Sequence, residues 1–339
     1  MSVISSPPRE LPATGGATEP APTSTHRRPA LAACVVAFAV LLSAVLLFHR
    51  AIPDVAGIGL LVDSVAPWFG LFIPVLAVFA LVSRYRRALV GVMVPVVVWA
   101  ALFGPGILPL QTGAPAPAAA ATAAGGSAGE LTVASQNIEA TSGTGDISAR
   151  ALAATGADVI ALEEMTSDDF DTISASLAAQ YPYSYGVGTV GLWSTYPVVN
   201  AQPLTLGLGW NRALAADLET PQGLVSIYVI HAASARPGDV SARDSMLTAL
   251  ADTLPNDENE RVIAVGDFNA ASTDRSLSGI DSQLSEPNQS GGMFGNTWPS
   301  NLPVTRLDHL FQRGMTATSN TTFSAGASDH RAILTTLRL

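Results

Sequence analysis

V-I-A-V-G-D-F-N-A, at residues 262–270, is the stretch of sequence that decides the fold. Its apolar residues make a short buried-strand pattern that runs directly into Gly266, Asp267 and Asn269. A carboxylate and an amide are therefore held at the end of a rigid strand, where polar groups can be fixed beside a charged substrate. Taken alone, a strand followed by Gly-Asp is more often an ordinary turn, so its meaning depends on the rest of the chain.

The same arrangement recurs elsewhere, because other strand-like runs also end in acidic, amide or histidine side chains. Residues 158–164 read D-V-I-A-L-E-E, and residues 229–231 close a strand on a histidine. Near the C-terminus, L-D-H at residues 307–309 and S-D-H at residues 328–330 each put an Asp-His pair beside a strand-like stretch. Several strands are thus predicted to end in polar side chains.

In this order the motifs resemble those of the endonuclease/exonuclease/phosphatase superfamily, and the resemblance covers about residues 130–339. Each motif alone is weak, but G-D-F-N and S-D-H in the correct order with an upstream acidic motif are specific together. One departure is that the family's Gln-Glu pair is Glu163-Glu164 here, which retains the glutamate that the family uses for metal. The motifs are Gln136-Asn137, Leu162-Glu163-Glu164, Gly266-Asp267-Phe268-Asn269, Leu307-Asp308-His309 and Ser328-Asp329-His330.

Strand and helix patterns alternate after residue 130, which predicts a layered α/β domain. Periodicity alone does not choose the topology. The resemblance implies a two-sheet β-sandwich with flanking helices and the site at one end of the sheets. Strands are predicted at residues 131–138, 159–162, 190–194, 224–230, 262–265, 307–311 and 331–339, and helices at 146–154, 168–180 and 240–254.

Hydrolysis of a phosphate ester or pyrophosphate needs neutralised phosphoryl oxygens, an activated water and a stabilised leaving oxygen. Hard oxygen ligands suit Mg²⁺ or Mn²⁺ and suit zinc poorly. Glu164 is the first expected metal ligand, and the family pattern adds Asn137 and Asp329. Asp267 is the best candidate to orient or deprotonate the attacking water.

The remaining polar side chains are expected to contact the phosphate or the leaving group. Asn269 could donate its amide to a phosphoryl oxygen. By resemblance, His330 contacts the phosphate and Asp308 pairs with it, which fixes the tautomer of the ring and favours its protonated form. His231 is expected to stabilise the leaving side or the charge of the transition state.

Neighbouring residues receive more ordinary interpretations. Glu163 is interpreted as a solvated residue or a supporting neighbour of the site, and His309 is either a packing residue or part of the site. Arg236 and Arg243 are interpreted as surface charges rather than phosphate clamps.

The N-terminal third accounts for the high hydrophobic fraction of 48%. Apolar runs at residues 29–48, 65–82 and 88–110 are each long enough to cross about 30 Å of hydrocarbon as a helix. Three transmembrane helices are predicted rather than a cleaved signal peptide, because two further spans follow the first. Asp63 is expected at the outer membrane interface, since a buried carboxylate would be costly there.

Arginines predict a multi-pass protein of the cell membrane with a cytoplasmic N-terminus and an extracellular catalytic domain. Arg27 and Arg28 precede the first helix and three arginines lie in residues 84–87, whereas the opposite loop holds only Arg50. Two segments rich in Pro, Ser, Gly and Ala are expected to be unstructured. The predicted organisation is a disordered tail (1–28), three transmembrane helices (29–110), a flexible linker (111–129) and the extracellular domain (130–339).

The charge of the outer domain restricts its partners. Residues 130–339 contain 23 Asp and Glu and 10 Arg, a formal net charge of −13. Proteins that hold a long polyanion usually present a basic stripe, so long nucleic acid is disfavoured as a partner. A small phosphate group brought to the site with a metal ion remains compatible, and no protein partner can be inferred.

Three membrane helices followed by an outward-facing domain resemble the VanJ-like membrane proteins associated with glycopeptide resistance, and that likeness implies hydrolysis of undecaprenyl pyrophosphate. Residues 67–69, 230–238 and 297–299 strengthen it. A tethered site also gains from a lipid-linked pyrophosphate confined to the same membrane. The alternatives are an extracellular membrane-tethered nuclease or phosphodiesterase, and a non-catalytic membrane binding module.

Overall fold

A computed structural model describes residues 28–110 and 129–339. Nearly all of the predicted tail and linker therefore lies outside the described residues. In the N-terminal region, the stretches Pro29–Ala51, Ile58–Ser83 and Arg86–Ile107 are long and apolar enough to cross a membrane. They contain the helices α1 (Pro29–Phe48), α2 (Ile58–Val65), α3 (Phe72–Ser83) and α4 (Arg86–Ile107).

The second of these segments begins earlier than the apolar run at residues 65–82 predicts. A 3₁₀ turn at Ala66–Leu71 joins α2 to α3 and has Pro67 in its first turn, where the missing N–H costs no hydrogen bond. The proline therefore changes the type of helix without ending the segment.

The second half of the chain is a two-sheet sandwich, as predicted. One sheet has the strand order β10-β11-β1-β2-β4-β3 and the other β5-β6-β7-β8-β9. The strands are β1 (Glu130–Asn137), β2 (Val159–Glu163), β3 (Tyr183–Val187), β4 (Val190–Ser194), β5 (Val198–Leu204), β6 (Ala213–Thr220), β7 (Gly223–His231), β8 (Arg261–Asp267), β9 (Asp308–Arg313), β10 (Thr316–Phe323) and β11 (Ala332–Arg338).

Helices cover both outer faces of the sandwich. Apolar side chains from both sheets, such as Val133 and Val265, form the central core. A second cluster packs α7 and α8 on the five-stranded sheet, and a third packs α5 and α6 on the six-stranded sheet. These helices are α5 (Gly145–Ala153), α6 (Ser167–Leu177), α7 (Ser241–Thr253) and α8 (Ser278–Asp281).

Four strands escaped the sequence analysis for physical reasons. β3, β5 and β10 are three of the four edge strands, and edge strands need only a weak apolar pattern. β5 also contains Pro203, which is tolerated because an edge strand can lack a ladder donor. β6 reads A-L-A-A-D-L-E-T, and its alanines have little strand propensity although the strand is central.

The domain docks on the bundle through a buried ion pair that includes Asp63, whose expected position at the outer membrane interface stays a prediction. Asp63 is 1% exposed. Its carboxylate accepts from Nε of Arg275 at 2.7 Å and lies 2.9 Å from Nδ1 of His49. Arg275 belongs to the loop after β8, so the partner that makes burial tolerable comes from the other half of the chain.

Other loops of the domain contact the same end of the bundle. Phe294 packs among apolar side chains of α1 and α4, including Leu46 and Phe103. Trp68 donates from its ring to the carbonyl oxygen of Val304 at 2.7 Å. Gly57 lies so close to Pro237, in the loop after β7, that no Cβ would fit between them.

The docked loops follow β7 and β8 and precede β9, at residues 232–240, 270–275 and 289–306. β7 and β8 are parallel and β9 is antiparallel to β8, so these loops leave the same end of the five-stranded sheet. The polar strand ends lie at this same end of the sheet. It is therefore the end that faces the helical bundle.

Arg275→Met is expected to lower the unfolding midpoint of the detergent-solubilised full chain and to accelerate amide exchange in α2. It leaves Asp63 buried without its arginine, and breaking a buried pair costs about 3 kcal/mol. Arg150→Met is the matched control, because it breaks the exposed pair with Asp146 and costs at most about 1 kcal/mol. Equal exchange in α2 for both variants would contradict the docking role of Arg275.

Candidate active site

Strand register brings the predicted polar residues together. In the five-stranded sheet, His231 pairs with Asp267, and Asp267 pairs with Asp308. In the six-stranded sheet, Asn137 pairs with Glu163. These residues stand at the ends of adjacent strands, so the two sheets present their polar groups at one end of the sandwich.

Gly266 permits β8 to approach its neighbours closely. Its φ of +130° lies in a region that other residues rarely adopt. A Cβ at this position would overlap the carbonyl oxygen of Ile230 and crowd the carboxyl of Glu163. The glycine of G-D-F-N is therefore required by the packing that positions Asp267.

Glu164 and Asn269 adopt left-handed backbone conformations, with φ of +58° and +48°. Such conformations cost on the order of 1–3 kcal/mol and persist only where the surroundings hold them. Glu164 directly follows the last residue of β2, and Asn269 lies two residues after the last residue of β8. Two of the eight non-glycine residues with positive φ among the described residues are thus residues of the motifs.

Asn137 links the two sheets at the site. Its Nδ2 donates to Glu164 Oε1 and to Asp267 Oδ2, both at 3.0 Å. Its Oδ1 accepts from the backbone N–H of Glu139 at 2.9 Å. The structure therefore places Asn137 between two carboxylates, and its metal-binding role stays a prediction.

Glu164 is ionised at neutral pH and accessible. A hydrogen bond with His231, whose Nε2 lies 3.4 Å away, is the main reason that the pKa of Glu164 falls to about 2. The hydrogen bond from Asn137 contributes in the same direction. The side chain is 36% exposed, so the carboxylate is both anionic and open to a ligand.

His231 has two neighbours that the sequence analysis missed. Its Nδ1 lies 3.0 Å from the hydroxyl of Thr189, and Arg212 approaches Nε2 with a guanidinium nitrogen. Nε2 of His231 can accept a hydrogen bond from Arg212 or donate one to Glu164, but it cannot do both.

Arg212 adds a positive charge to the site. Its guanidinium lies 4.8 Å from the ring centre of Trp210, and it donates to the carbonyl oxygens of His231 and Ala232. The residue precedes β6 directly, and because β6 was not predicted, the sequence offered no way to place Arg212 beside His231.

Asp308 and His330 form the pair that the resemblance implies. Asp308 Oδ2 lies 2.9 Å from Nδ1 of His330, and both side chains are buried. Burial lowers the pKa of His330, but the charge and hydrogen bond of Asp308 outweigh it and raise that pKa to about 10. The ring is therefore a cation at neutral pH, with Nε2 left to contact an anion.

The S-D-H and Q-N motifs support this pair through the backbone. Gln136 donates to the carbonyl oxygen of His330 at 3.0 Å. Ser328 donates to the carbonyl oxygen of Asn137 at 2.6 Å and accepts from the N–H of His330 at 3.0 Å. The last loop of the chain is thus fastened to the end of β1.

Carboxyl groups are crowded at the centre of the site. Burial raises the pKa of Asp267, although the charge of His330 opposes the rise. Burial and the charge of Asp308 raise the pKa of Glu163 well above its usual value. Glu163 is fully buried and accepts from Ser135 at 3.0 Å, so of its two predicted interpretations the solvated one is wrong.

The raised pKa of Glu163 bears on the departure from the Gln-Glu motif, because it favours the neutral carboxyl. A neutral carboxyl has one donor and acceptor oxygens, which makes it similar to the amide of glutamine in hydrogen bonding. Burial therefore favours the form of Glu163 that adds least negative charge beside Asp267 and Asp308. It leaves Glu164 as the exposed anion of the pair.

Asn269 supports Asp267. Its backbone N–H donates to Asp267 Oδ1 at 2.8 Å, and its amide donates to Asp267 Oδ2 at 3.1 Å and to the carbonyl oxygen of Ala232 at 3.0 Å. The structure thus places this amide on the carboxylate, and donation to a phosphoryl oxygen stays a prediction.

Asp329 lies at the rim. Its Oδ2 accepts from the ring N–H of Trp298 at 2.9 Å, and its Oδ1 is 3.9 Å from His330 Nε2. It does not join the compact groups of possible ligand atoms among residues 28–110 and 129–339. Its predicted metal-binding role remains a prediction.

The structure corrects the interpretation of Arg243 and decides between the two interpretations of His309. Arg243 is buried and donates to Asp274 at 2.9 Å and to the carbonyl oxygen of Asn269 at 2.8 Å, so the surface-charge interpretation is wrong. His309 lies 2.6 Å from Glu286 and stacks on Phe311, which makes it a packing residue beneath the site.

The residues fit a divalent cation. Ligand atoms of Glu164, His231 and Asp267 lie within 4.8 Å of one another, and those of Asp267, Asp308 and His330 form a second such group. Oδ1 of Asp308 is buried without a hydrogen-bond partner among the described residues. The first group suits a cation better, because His330 already supplies the positive charge of the second.

The sequence profile of the Endonuclease/Exonuclease/phosphatase family matches residues 135–330. The chain belongs to this family. Members of the endonuclease/exonuclease/phosphatase family are phosphoester hydrolases and generally use a divalent metal. Comparison with curated proteins finds no match.

Solved structures share the fold of this family member at low sequence identity. Truncated TDP2 of Caenorhabditis elegans has a TM-score of 0.52 and 18% identity, covering 62% of this chain and 98% of its own. Beta toxin of Staphylococcus aureus has a TM-score of 0.51 and 14% identity, covering 60% and 99%. A family protein of Bacteroides thetaiotaomicron has a TM-score of 0.51 and 16% identity, covering 61% and 97%.

Asp308→Asn is expected to lower the pKa of His330 from about 10 towards its usual value of 6.5, because it removes the partner that stabilises the imidazolium. The stabilisation that His330 gives the fold is complete below its unfolded pKa and is lost as pH rises through its folded pKa. In the variant this loss moves to lower pH. An NMR titration of His330 measures the shift, with Asp146→Asn as the control.

The same pair predicts non-additive kinetics. The double variant Asp308→Asn/His330→Ala is expected to have nearly the kcat/KM of His330→Ala, because without the ring Asp308 has nothing to orient. Losses that multiply would show that the two residues act independently.

Proposed function

We propose that this chain is a divalent-metal-dependent hydrolase of a lipid-linked pyrophosphate at the outer membrane face, with undecaprenyl pyrophosphate as its substrate. One observation carries the proposal: the end of the sandwich that holds Glu164, Asp267 and His330 is the end whose loops contact the membrane-type helices. A substrate that diffuses in the bilayer would thus meet the site at the membrane surface.

The charge of the domain favours a small anionic group over a long polyanion. The net charge of −13 repels an extended phosphate backbone, and the positive charge described at the site comes from Arg212 and His330. A pyrophosphate carries its charge in one place, where a cation on Glu164 and these two side chains can neutralise it together.

The chemical roles follow from the hydrogen bonds. Asp267, held by Asn137 and Asn269, would orient and deprotonate the attacking water. His330, kept protonated by Asp308, would donate to a phosphoryl oxygen.

A divalent metal held by Glu164 and by the predicted ligands Asn137 and Asp329 would neutralise charge on the phosphoryl oxygens. His231 lies beside Glu164 and is contacted by Arg212, and these two side chains would stabilise the leaving oxygen.

Arginine placement supports an extracellular domain and a cytoplasmic N-terminus. Arg28 and the arginines of residues 84–87 lie at the end of the bundle away from the domain, since the N–H of Arg28 donates to Ser83. At the domain end, Arg50 donates to the carbonyl oxygen of Thr273 at 3.0 Å. The basic end faces the cytoplasm by the positive-inside rule.

A nuclease or phosphodiesterase is the second candidate. A solved structure with the same fold is TDP2 of Danio rerio bound to a single-stranded DNA product, with a TM-score of 0.50 and 16% identity, covering 62% of this chain and 99% of its own. Substrates separate the two activities. The full chain in nanodiscs is incubated with undecaprenyl pyrophosphate or plasmid DNA, each with Mg²⁺, Mn²⁺ or EDTA.

Phosphate release without DNA nicking, abolished by EDTA, is the expected result. EDTA-sensitive nicking without phosphate release would identify a nuclease instead. Metal-independent binding of the lipid with no reaction would identify the binding module.

Glu164→Gln is expected to lower kcat/KM on the order of 100-fold at limiting Mg²⁺, because it removes the accessible anionic ligand. Excess metal should restore part of the activity. Glu219→Gln, on an exposed residue of β6, is the matched control. Normal activity of Glu164→Gln at limiting Mg²⁺ would exclude Glu164 as a ligand.

Protease added to intact cells is expected to cut between residues 111 and 129 and to release the domain. Cutting only after lysis would reverse the proposed orientation. Immunoblotting against the domain measures the result, with a cytoplasmic protein as the control for leakage.

A further inference from the structure

A wholly apolar groove runs along the bundle between α1 and the α2–α3 segment. It has a volume of about 700 Å³, within the range of about 300–1,000 Å³ that small-molecule sites occupy. Its walls include Leu41 and Leu42 on one side and Phe72, Val75 and Phe79 on the other, and no polar surface lines it.

The groove begins near one end of the bundle and finishes beneath the docked domain. Cys34 lines the end away from the domain, and Ile52 and Val62 line the end next to it. The carbonyl oxygen of Ile52 accepts from Arg275 at 2.6 Å, and Val62 precedes Asp63, the other partner of that arginine. The groove therefore ends at the loop after β8.

A single side chain, that of Arg243, connects this loop to the site. Arg243 donates both to Asp274, which precedes Arg275, and to the carbonyl oxygen of Asn269, which holds Asp267. The end of the groove and the carboxylate of Asp267 are thus connected through the hydrogen bonds of Arg275 and Arg243. A lipid lying in the groove would have its head group at the level of these loops.

We propose that the groove binds the hydrocarbon tail of the lipid substrate and so delivers its pyrophosphate to the site. This inference rests on the proposed function. Lipid tails are as apolar as the groove, so the hydrophobic effect contributes little and packing against a fixed wall decides the preference. The gain is a restricted position of the head group, which raises its effective concentration at the site.

The other possible occupant is an ordinary membrane phospholipid that fills the groove without selectivity. Contact of the groove with the docking interface favours the substrate, because a tail held there has its head group beside the site. A bulk phospholipid would make activity independent of the shape of the groove. The two occupants therefore predict different responses to a blocked groove.

The test uses Val75→Trp in the full chain, reconstituted in nanodiscs. Val75 is 50% exposed and lines the groove, whereas Val97 on α4 is 61% exposed and does not line it. Val97→Trp is thus the matched control, with the same substitution at a similar exposure. Leu41→Trp, on the opposite wall, is a second blocking variant in case the first does not fold.

Two substrates separate the tail from the head group. Undecaprenyl pyrophosphate has the long tail, and isopentenyl pyrophosphate has a single isoprene unit that cannot fill the groove. Val75→Trp is expected to lower kcat/KM for the long substrate about tenfold, since overpacking a groove commonly has effects of this size. The short substrate should change less than about twofold, and Val97→Trp should change neither.

Equal losses for both substrates, or equal effects of Val75→Trp and Val97→Trp, would overturn the groove proposal. If the native chain hydrolyses neither pyrophosphate, the proposed function fails, and the groove is then tested by binding. A photoreactive polyprenyl phosphate should crosslink to α1 and α3 in the native chain and Val97→Trp, and not in Val75→Trp. Crosslinks spread evenly over the bundle would overturn the proposal.

Discussion

Burial of three carboxyl groups, on Glu163, Asp267 and Asp308, at one end of the sandwich is the constraint on which the site depends. Three buried anions so close together would repel one another strongly. The structure reduces this charge in separate ways: burial raises the pKa of Glu163, which favours its neutral form, and Asp308 pairs with a protonated His330. Asp267 is left with only amide and backbone donors from Asn137 and Asn269.

The carboxyl groups of the site have different environments, and this difference has a chemical consequence. Burial keeps the pKa of Asp267 above its usual value although the charge of His330 and the hydrogen bond from Asn269 lower it, whereas a carboxylate paired directly with a cation loses its basicity. Asp267 therefore retains the character of a general base, and Glu164, whose pKa is about 2, retains that of a metal ligand. Different environments thus separate the roles of chemically similar groups, a pattern that acid-base sites use widely.

The family resemblance predicted the sandwich, and the motifs, each of which couples an apolar run to a polar strand end, predicted the residues at its polar end. Sequence reasoning could not predict contacts that depend on tertiary pairing. Arg212 was missed because the alanine-rich β6 that positions it carries little strand signal. Arg243 was misread because a charged residue on an amphipathic helix ordinarily faces solvent, and only the fold shows Asp274 behind it.

Asp63 shows the same limit at the membrane end of the domain. A carboxylate inside an apolar segment is costly unless it finds a partner, and Arg275 lies more than two hundred positions away in sequence. If the helices span a membrane as proposed, that partner would keep the acidic domain close to it, although anionic lipids repel the domain over roughly a Debye length of 8–10 Å. A buried ion pair is screened little, so the docking contact holds the polar strand ends towards the membrane-type helices independently of surface charge.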